Sequence, residues 1–427
     1  MGRNNVFESS KGLSPVSLWR GMKTFHGVLL IGLIFLPGCG GGGAGGESQS
    51  EQAQTDPCNN GLGNGDQIIS GPPGPTGADF DQPFRSVAID PGNPNIVFVG
   101  TEKNGICKST DGGTTWDRLR YGLWHGADGY SEAWDIAIHP QGSATGLFLA
   151  MTGGPLPITS PNANAGVYRS TDGGATWVRK NCGISNHKTN SVIYDPNNPN
   201  VLILGVEGGF PSGTEAAGQY QDGGLYRSTD GGANWNLISL PTYANKQGYW
   251  HLRARGSAPT TFYTFAFNYI QLSENLGFLR STNGGQTWSQ FAPSLQTKFI
   301  VGFDVSADQQ TIFAIERDAF TAYKSTDGGT NWTSMGTNGN GPIRVSPANV
   351  NLVLFADATN KLYRSTDGLS SSPQEFTLDD QVQDIEFAPS NPSIVYVATR
   401  GYRIYKSLDA GGSWTKIKNL RAEVLNQ

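Results

Sequence analysis

The stretch Ser109-Thr110-Asp111-Gly112-Gly113-Thr114-Thr115-Trp116 decides the fold, because versions of it return six more times along the 427 residues of the chain. Four of these keep serine, aspartate, glycine and tryptophan at the same spacing, and one has Asn283 in place of the aspartate. The sixth, at 365–368, lacks the second glycine and the tryptophan, and Phe376 is the candidate substitute for the missing ring. The aspartate positions are Asp111, Asp172, Asp230, Asn283, Asp327, Asp367 and Asp409.

Successive copies lie between 40 and 61 residues apart, and short strands surround each of them. Around the first copy, β-branched and apolar residues predict strands at 85–89, 96–100, 105–108 and 115–119. A repeat of this length with four strands is typical of a β-propeller blade. The sequence therefore predicts an all-β fold, a seven-bladed β-propeller of four-stranded antiparallel blades.

The predicted propeller spans 81–420 and is followed by a tail at 421–427. Strands for a complete seventh blade are found within 383–417, while residues 67–70 could supply one more strand from the other end of the chain. The sequence leaves the mode of ring closure open between these two arrangements.

The repeated pattern resembles the Asp-boxes of sialidase-like and sortilin-like propellers, and the resemblance covers nearly all of 84–420. In such a turn the serine and aspartate oxygens accept hydrogen bonds from backbone N–H groups, and glycine permits a positive φ. The tryptophan buries a large apolar face. We interpret the boxes as structural, because a calcium loop needs more acidic ligands at close spacing.

The N-terminal region resembles a bacterial lipoprotein signal. Met22 and a lysine precede a short apolar run and a Leu-Pro-Gly-Cys box that ends at Cys39. This run is too short for a permanent transmembrane helix, which takes about 20 residues, but it suits a secretory signal. The resemblance implies a signal peptide at 22–38, a lipidated Cys39 and a Gly/Pro-rich tether at 39–80, with 1–21 untranslated or disordered. We expect an exported protein of the bacterial cell envelope, held at a membrane by its lipid anchor only.

Composition excludes several kinds of partner. The 35 acidic residues outnumber the 30 Lys and Arg, which gives a net charge of −5 and no basic surface for nucleic acid. No Cys/His cluster has zinc-site spacing, so the sequence predicts neither a metal nor a cofactor. With Cys39 lipidated, Cys58, Cys107 and Cys182 predict one disulfide and one remaining thiol, without deciding the pairing.

The candidate binding surface lies on one face of the predicted propeller. In propellers of this type the first loop of each blade and the Asp-box loop share a face, and most length differences between the repeats fall on the opposite face. The three tryptophans outside the boxes and the leader map to this elaborated face, beside polar residues. Such groups suit sugars and also protein partners. The predicted ligand-binding residues are Arg85, Trp124, His125, Tyr130, Trp134, Trp250, His251 and Arg253.

Catalysis is the alternative hypothesis. The chain resembles two-propeller hydrolases that cleave xyloglucan, whose first propeller carries an aspartate where this chain has Glu102. Because those enzymes place the second carboxylate on a second propeller, Glu207 or Glu132 would have to complete an acid and base pair here. Arg85 lies near where sialidases place their first arginine, but the Arg-Ile-Pro triplet is absent and seven boxes exceed the sialidase number.

Binding is the favoured hypothesis. Single seven-bladed Asp-box propellers with a lipoprotein leader resemble photosystem assembly factors, which dock on partner proteins, and sortilin-like domains bind peptides. We predict a monomeric, membrane-anchored propeller whose elaborated face binds a glycan or a protein or peptide partner. A glycoside hydrolase of xyloglucanase or sialidase type that acts on extracellular polysaccharide is the alternative.

Overall fold

The computed structural model describes residues 84–102, 105–123, 125–126, 129–130, 132–152, 166–208, 223–240, 247–268 and 274–419. These residues form seven four-stranded antiparallel sheets in a ring, which confirms the predicted seven-bladed β-propeller. The segments predicted at 1–21, 22–38, 39–80 and 421–427, with Cys39 and the possible strand at 67–70, lie outside the described residues. In the described part, no helix has the length and hydropathy needed to cross a bilayer.

Each blade is built from four strands that are consecutive in the chain. Blade 1 comprises β1 (Phe84–Ile89), β2 (Val97–Thr101), β3 (Ile106–Ser109) and β4 (Asp117–Leu119). A small hairpin of β5 (His125–Gly126) and β6 (Gly129–Tyr130) follows it. Blade 2 comprises β7 (Glu132–Ile138), β8 (Leu147–Thr152), β9 (Gly166–Ser170) and β10 (Val178–Arg179). Blade 3 comprises β11 (Thr189–Tyr194), β12 (Leu202–Val206), β13 (Gly224–Ser228) and β14 (Asn236–Leu237).

The remaining four blades follow the same plan. Blade 4 comprises β15 (Gly248–Arg255), β16 (Thr261–Phe267), β17 (Gly277–Ser281) and β18 (Ser289–Phe291), with a short 3-10 helix at Pro293–Leu295 after it. Blade 5 comprises β19 (Ile300–Val305), β20 (Ile312–Glu316), β21 (Thr321–Ser325) and β22 (Thr333–Ser334). Blade 6 comprises β23 (Ile343–Ser346), β24 (Asn349–Ala356), β25 (Lys361–Ser365) and β26 (Gln374–Thr377). Blade 7 comprises β27 (Val382–Phe387), β28 (Val395–Thr399), β29 (Arg403–Ser407) and β30 (Thr415–Asn419).

The hydrophobic core lies between the blades. The first strands of neighbouring blades contact each other around a central channel, and the second strands are buried along their whole length, as in β2 and β12. Phe98 of blade 1, for example, packs in one cluster with Leu149 and Trp177 of blade 2. Because each sheet is covered on both faces by its neighbours, the second strands read as continuous apolar runs instead of alternating ones.

The turn between the third and fourth strands, which we call the serine–aspartate turn, keeps the same hydrogen bonds in every blade. In blade 1 the Oγ of Ser109 accepts the N–H of Gly113 at 2.8 Å and donates to the Asp111 carboxylate at 2.9 Å. That carboxylate also accepts the N–H of Thr115 at 2.9 Å. Gly112 has a φ of 73°, in the left-handed region that favours glycine. The serine makes the equivalent pair of bonds in the other six turns.

The sixth turn shows how the fold tolerates a departure from the pattern. Leu369 replaces the second glycine at a φ of 67°, and its N–H still reaches the Oγ of Ser365 at 2.8 Å. The Leu369 side chain is buried in the core. Phe376, the candidate substitute for the missing tryptophan, lies on β26 and packs edge-on against Trp414 of blade 7.

A basic residue directly before the serine connects six of the seven blades to the next one. Lys or Arg occupies this position in all seven copies of the sequence pattern. In six of them, the described residues include a hydrogen bond of 2.8–3.3 Å from this side chain to a backbone carbonyl in the serine–aspartate turn of the following blade. The six donors are Lys108, Arg227, Arg280, Lys324, Arg364 and Lys406.

The ring closes through side chains. Lys406 of blade 7 donates to the carbonyl of Gly112 in blade 1 at 3.2 Å, and the hydroxyl of Tyr396 donates to the carbonyl of Pro94 at 3.2 Å. Phe84 packs edge-on against Tyr402 with ring centroids 5.3 Å apart. Since blade 7 has its own four strands, the described residues close the ring without strand exchange.

The two cysteines in the described part of the chain differ in state. Cys107 on β3 is a free, fully buried thiol, and burial raises its pKa to about 11. Cys182 is disulfide-bonded. The remaining thiol that the sequence left unassigned is therefore Cys107.

Replacing Lys406 by methionine removes the cationic donor between the last and first blades and keeps a side chain of similar length. Because a hydrogen bond from a charged donor contributes about 1.5–3 kcal/mol and this one is partly exposed, we expect the free energy of unfolding to fall by about 1–2 kcal/mol. Urea denaturation measures the change. The control is Lys416→Met, which removes an exposed lysine of β30 and is expected to leave the midpoint unchanged. Equal losses in both variants would contradict the role of Lys406 in closure.

Candidate functional site

The ring has two ends, which we name by their connections. At the turn face, the serine–aspartate turns meet the connections between first and second strands, as shown by the 2.9 Å bond from the N–H of Gly112 to the carbonyl of Asn95. The loop face is the opposite end, where the first strands begin. Because the strands are antiparallel, the second strand of each blade ends and the third strand begins at the loop face.

The first strands of six blades carry a β-bulge close to the loop face. A bulge inserts a residue without a partner on the next strand, and it redirects the side chain of that residue. In blade 4 the bulge is wider, and His251 there has a φ of 56°. The extra residues of the six bulges are Arg85, Trp134, Asn190, His251, Val301 and Gln383.

All six extra residues line one cavity of about 210 Å3 at the loop-face end of the channel. Trp250 and Arg253 also line it, so five of the eight predicted binding residues share this cavity: Arg85, Trp134, Trp250, His251 and Arg253. Trp124 lies outside the described residues. His125 and Tyr130 pair through their backbones in the β5–β6 hairpin, and their side chains lie outside the described part of the structure.

Two tryptophans from different blades form an aromatic corner in this cavity. The rings of Trp134 and Trp250 meet edge to face, with centroids 5.2 Å apart and an interplanar angle of 66°. The guanidinium carbon of Arg85 lies 4.7 Å from the centroid of the Trp134 ring, which is a cation–π contact. Three blades therefore contribute to one amphipathic surface.

Arg85 brings together two of the three candidate carboxylates. Its Nη2 lies 3.3 Å from an oxygen of Glu102 and 3.3 Å from an oxygen of Glu132. The two carboxylate oxygens that contact this nitrogen are therefore at most about twice that distance apart, while glycosidases use carboxyl separations of about 5–5.5 Å or about 6.5–9.5 Å. Neither glutamate is among the described residues that line the cavity, whereas Arg85 is.

The two glutamates lie in different environments. Burial raises the pKa of Glu132 to about 7, an effect that the positive charge of Arg85 opposes and the negative charge of Glu102 reinforces. The side chain of Glu102 is twice as exposed as that of Glu132, at 19% against 9%. A buried acid of this kind can keep a proton near neutral pH.

Glu207 does not join this pair. It follows β12 in blade 3, and its carboxylate binds the ammonium of Lys188 at 2.9 Å. Its carbonyl accepts a hydrogen bond from the side-chain amide of Asn186 at 2.8 Å. The described contacts of Glu207 therefore hold neighbouring segments of blade 3 together.

A belt of buried charges crosses the channel beneath the cavity. Arg253 donates to Asp304 at 3.1 Å, and Arg344 donates to Asp384 at 2.6 Å and to Glu386 at 3.2 Å. Burial raises the pKa of Glu386 to about 7. Below the belt, a second cavity of about 540 Å3 continues toward the turn face.

Asp304 and Asp384 of the belt, and Asp135 of the cavity lining, also connect neighbouring blades. Carboxylate oxygens of Asp135, Asp304 and Asp384 each accept a backbone N–H from the first strand of the next blade, at 2.9–3.0 Å. Asp384 reaches Val87 of blade 1 and so takes part in ring closure. These hydrogen bonds thus hold together the first strands whose bulges line the candidate site.

His251 has a packing role in this structure. Its Nε2–H donates to the carbonyl of Val301 in blade 5 at 3.1 Å. Burial and the nearby guanidinium groups of Arg253 and Arg344 lower the pKa of His251 to about 3, so the ring is neutral at ordinary pH. The neutral imidazole, with its Nε2–H bonded to Val301, therefore packs at the interface between blades 4 and 5.

Sequence reasoning missed Asn190, Gln383 and Arg344, which also line the cavity. For the first two, a signal was present. The extra bulge residue often precedes a small residue or an aspartate, as in Asn190-Ser191 and Gln383-Asp384, and the same holds for Arg85-Ser86 and Trp134-Asp135. Aligning the seven first strands on this pair would have identified the residues that face the channel.

No described group of three or more His, Cys, Asp or Glu side chains has the arrangement of a metal site. The acidic side chains near the cavity instead bind arginines and backbone N–H groups. What this arrangement can do chemically is bind a small polar ligand against the aromatic corner.

No family model matches the chain. Among curated proteins it is similar to a xyloglucanase of Paenibacillus sp, with 29% identity over 214 residues, and to xyloglucanase Xgh74A of Acetivibrio thermocellus, with 26% identity over 295 residues. The alignments cover 46% and 61% of this chain but 19% and 33% of the relatives. The chain thus spans about a third or less of the length of these relatives.

Solved structures of similar fold belong to proteins of different kinds. The GH74 xyloglucanase from Xanthomonas campestris superposes with a TM-score of 0.59 at 18% identity, over 79% of this chain and 55% of that one. YCF48 from Cyanidioschyzon merolae gives a TM-score of 0.54 at 14% identity, over 78% of this chain and 97% of that one. A structure of YCF48 bound to D1 peptide gives 0.53 at 14% identity, over 77% and 94%. At these identities the likeness shows the propeller fold alone.

The raised pKa of Glu132 predicts a stability that depends on pH. The folded protein keeps the Glu132 proton up to about pH 7, whereas an ordinary glutamate loses it near 4.5, so the folded state binds more protons in this window and its stability falls as pH rises. Glu132→Gln removes this contribution. We expect the decline in unfolding free energy between pH 4.5 and 7 to shrink by an amount on the order of 2–3 kcal/mol.

Denaturation at several pH values tests this expectation against Glu375→Gln, a control on β26 whose exposed carboxylate pairs with Lys361. The control should keep the slope of the wild type. A slope that Glu132→Gln leaves unchanged would show that Glu132 ionises like an ordinary glutamate.

Proposed function

We propose that the propeller binds a glycan in the loop-face cavity. The observation that supports this most is the aromatic corner of Trp134 and Trp250, with the Arg85 guanidinium beside it. Apolar ring faces can stack on the C–H faces of sugars, while nearby polar side chains bind hydroxyl groups. The curated relatives are xyloglucanases, so a xyloglucan oligosaccharide is the first ligand to test.

The size of the cavity limits how much of a glycan it can take. Pockets that enclose a drug-sized ligand usually measure about 300–1,000 Å3, and this cavity measures about 210 Å3. The space suits one sugar unit or one branch, with the rest of the oligosaccharide lying over the loop face. We therefore expect an affinity for short oligosaccharides as well as for the polymer.

Removing either tryptophan of the corner should weaken glycan binding. Aromatic residues at the centre of an interface often contribute 2 kcal/mol or more, so we expect Trp134→Ala and Trp250→Ala to weaken binding of a xyloglucan oligosaccharide by at least about tenfold. Isothermal titration calorimetry measures the affinity. Trp414→Ala, which removes a half-buried tryptophan at the turn face, is the matched control and should bind as the wild type does.

Two outcomes of this titration would count against the proposal. Unaltered binding in both corner variants would exclude the aromatic corner as the site. A wild-type protein that binds no member of a glycan panel would favour the protein or peptide partner instead, the kind of ligand that YCF48 has in its structure with D1 peptide.

Glycoside hydrolysis is the second candidate, and one observation favours it. Glu102 and Glu132 both contact the Nη2 of Arg85 and so lie close together, and the pKa of about 7 suits Glu132 to act as a general acid. Against it, both carboxylates bind the same arginine, and neither glutamate is among the described residues that line the cavity. New reducing ends appearing in the titration mixture with xyloglucan would establish hydrolysis, and their absence leaves binding as the activity.

We also propose that the protein is exported and anchored through a lipid on Cys39. The Leu-Pro-Gly-Cys box after a short apolar run supports this proposal. A single cysteine carries the anchor, so Cys39→Ser should move the protein from the membrane fraction to the soluble fraction of the cell envelope. Immunoblotting of the fractions measures the shift, with Cys107→Ser as the control. A Cys39→Ser protein that stays with the membrane would contradict the lipid anchor.

A further inference from the structure

Asn190 is a buried polar side chain that has no partner within the described protein. It is the extra residue of the β11 bulge, between Thr189 and Ser191, and only 3% of its surface is exposed. Neither its Oδ1 nor its Nδ2 makes a hydrogen bond, although both atoms are buried and the residue lines the loop-face cavity. Its amide therefore bounds the space in which a ligand would lie.

Leaving such an amide without a partner is costly. A buried donor or acceptor without a hydrogen bond costs about 1–3 kcal/mol, and most buried polar groups in folded proteins are bonded. Asn181 in blade 2 shows the usual arrangement, because it is also buried and its Oδ1 accepts the N–H of Val167 at 2.9 Å. Asn190 lacks such hydrogen bonds, and it lies in the lining of the cavity.

Two donors on arginines that line the cavity are also unpartnered. The Nη2 of Arg253 and the Nε of Arg85 are buried without a hydrogen-bond partner. A ligand in this cavity consequently meets these N–H groups and the Asn190 amide, together with the side chains of Asp135 and Asp384 in the cavity lining. Such a set suits a ligand that is rich in oxygen and carries at least one hydroxyl donor.

The charge of these arginines is already balanced. Arg85 faces Glu102 and Glu132, and Arg253 faces Asp304. The third arginine of the cavity wall, Arg344, faces Asp384 and Glu386. An acidic ligand would therefore bring an uncompensated negative charge into a buried site, which is unfavourable.

We propose that Asn190 is a specificity-determining residue that selects a neutral sugar unit, an inference that rests on the proposed glycan binding. A carboxamide presents a donor and an acceptor side by side, and adjacent hydroxyl groups of a sugar can satisfy both. The carboxylate of a uronic acid only accepts, so it would leave the Asn190 oxygen without a partner. The cavity thus favours neutral sugars over acidic ones.

The test separates a binding role from a structural one by measuring stability and affinity together. Asn190→Leu keeps the size of the side chain and removes both unpartnered polar atoms. We expect the melting temperature of the unliganded protein to rise by about 1–3 °C, while the affinity for a xyloglucan oligosaccharide falls at least tenfold. The wild type should bind this neutral probe at least tenfold more tightly than an oligogalacturonate of similar length.

Asn181→Leu is the matched control, because it removes a partnered asparagine of the same kind. It should lower the melting temperature and leave the affinity of the folded protein unchanged. Asn190→Ala is the second variant should leucine prevent folding, and it should lose affinity to the same extent.

Three results would overturn the inference. These are a fall in the melting temperature of Asn190→Leu comparable to that of Asn181→Leu, an unchanged affinity in the Asn190 variants, and equal binding of the acidic and neutral oligosaccharides. If the wild type binds no glycan, the proposed function fails as well. Glycan binding that the Asn190 variants retain would overturn this inference alone.

Discussion

The hydrogen bond from a basic side chain to the serine–aspartate turn of the next blade, found at six of the seven blade junctions, is the repeated contact on which the ring depends. Within each turn, the serine and aspartate oxygens satisfy the backbone N–H groups and so hold a carbonyl in a constant direction. The lysine or arginine that precedes the serine of the previous blade donates to that carbonyl. The donor and the acceptor belong to the same repeated segment. A copy of this segment can therefore accept a hydrogen bond from the preceding blade and donate one to the following blade. Lys406 and Gly112 complete the ring.

A closed ring allows irregular features at its inner edge. Bulges near the start of the first strands aim single side chains into the channel without breaking the sheets. Beneath them, Asp135, Asp304 and Asp384 join neighbouring first strands through backbone N–H groups, and the arginines balance most of their charge. The cavity is therefore lined by side chains from several blades. The stability of the packed ring offsets the cost of an unpartnered amide such as that of Asn190.

Residue type alone was enough to predict the aromatic side chains of the candidate site. Tryptophans outside the repeated turns indicated a binding surface, and Trp134 and Trp250 meet in the cavity. The carboxylates were less predictable, since Glu132 approaches Arg85 and Glu102 while Glu207 binds Lys188 instead. His251 lines the cavity and also contacts the next blade, through the hydrogen bond from its Nε2–H to the carbonyl of Val301. Asn190 and Gln383 were missed because a bulge changes which side chains face the channel, and alternation along a strand does not show this change.

The sequence by itself determined the all-β class, the number of blades and the position of each turn. It could do so because the deciding hydrogen bonds join atoms within about eight consecutive residues, so the residue pattern records them directly. Only the tertiary structure decided which glutamate shares Arg85, which side chains enter the channel and how the ring closes. Those outcomes depend on contacts between residues that are tens to hundreds of positions apart in the chain, and on single-residue shifts of register.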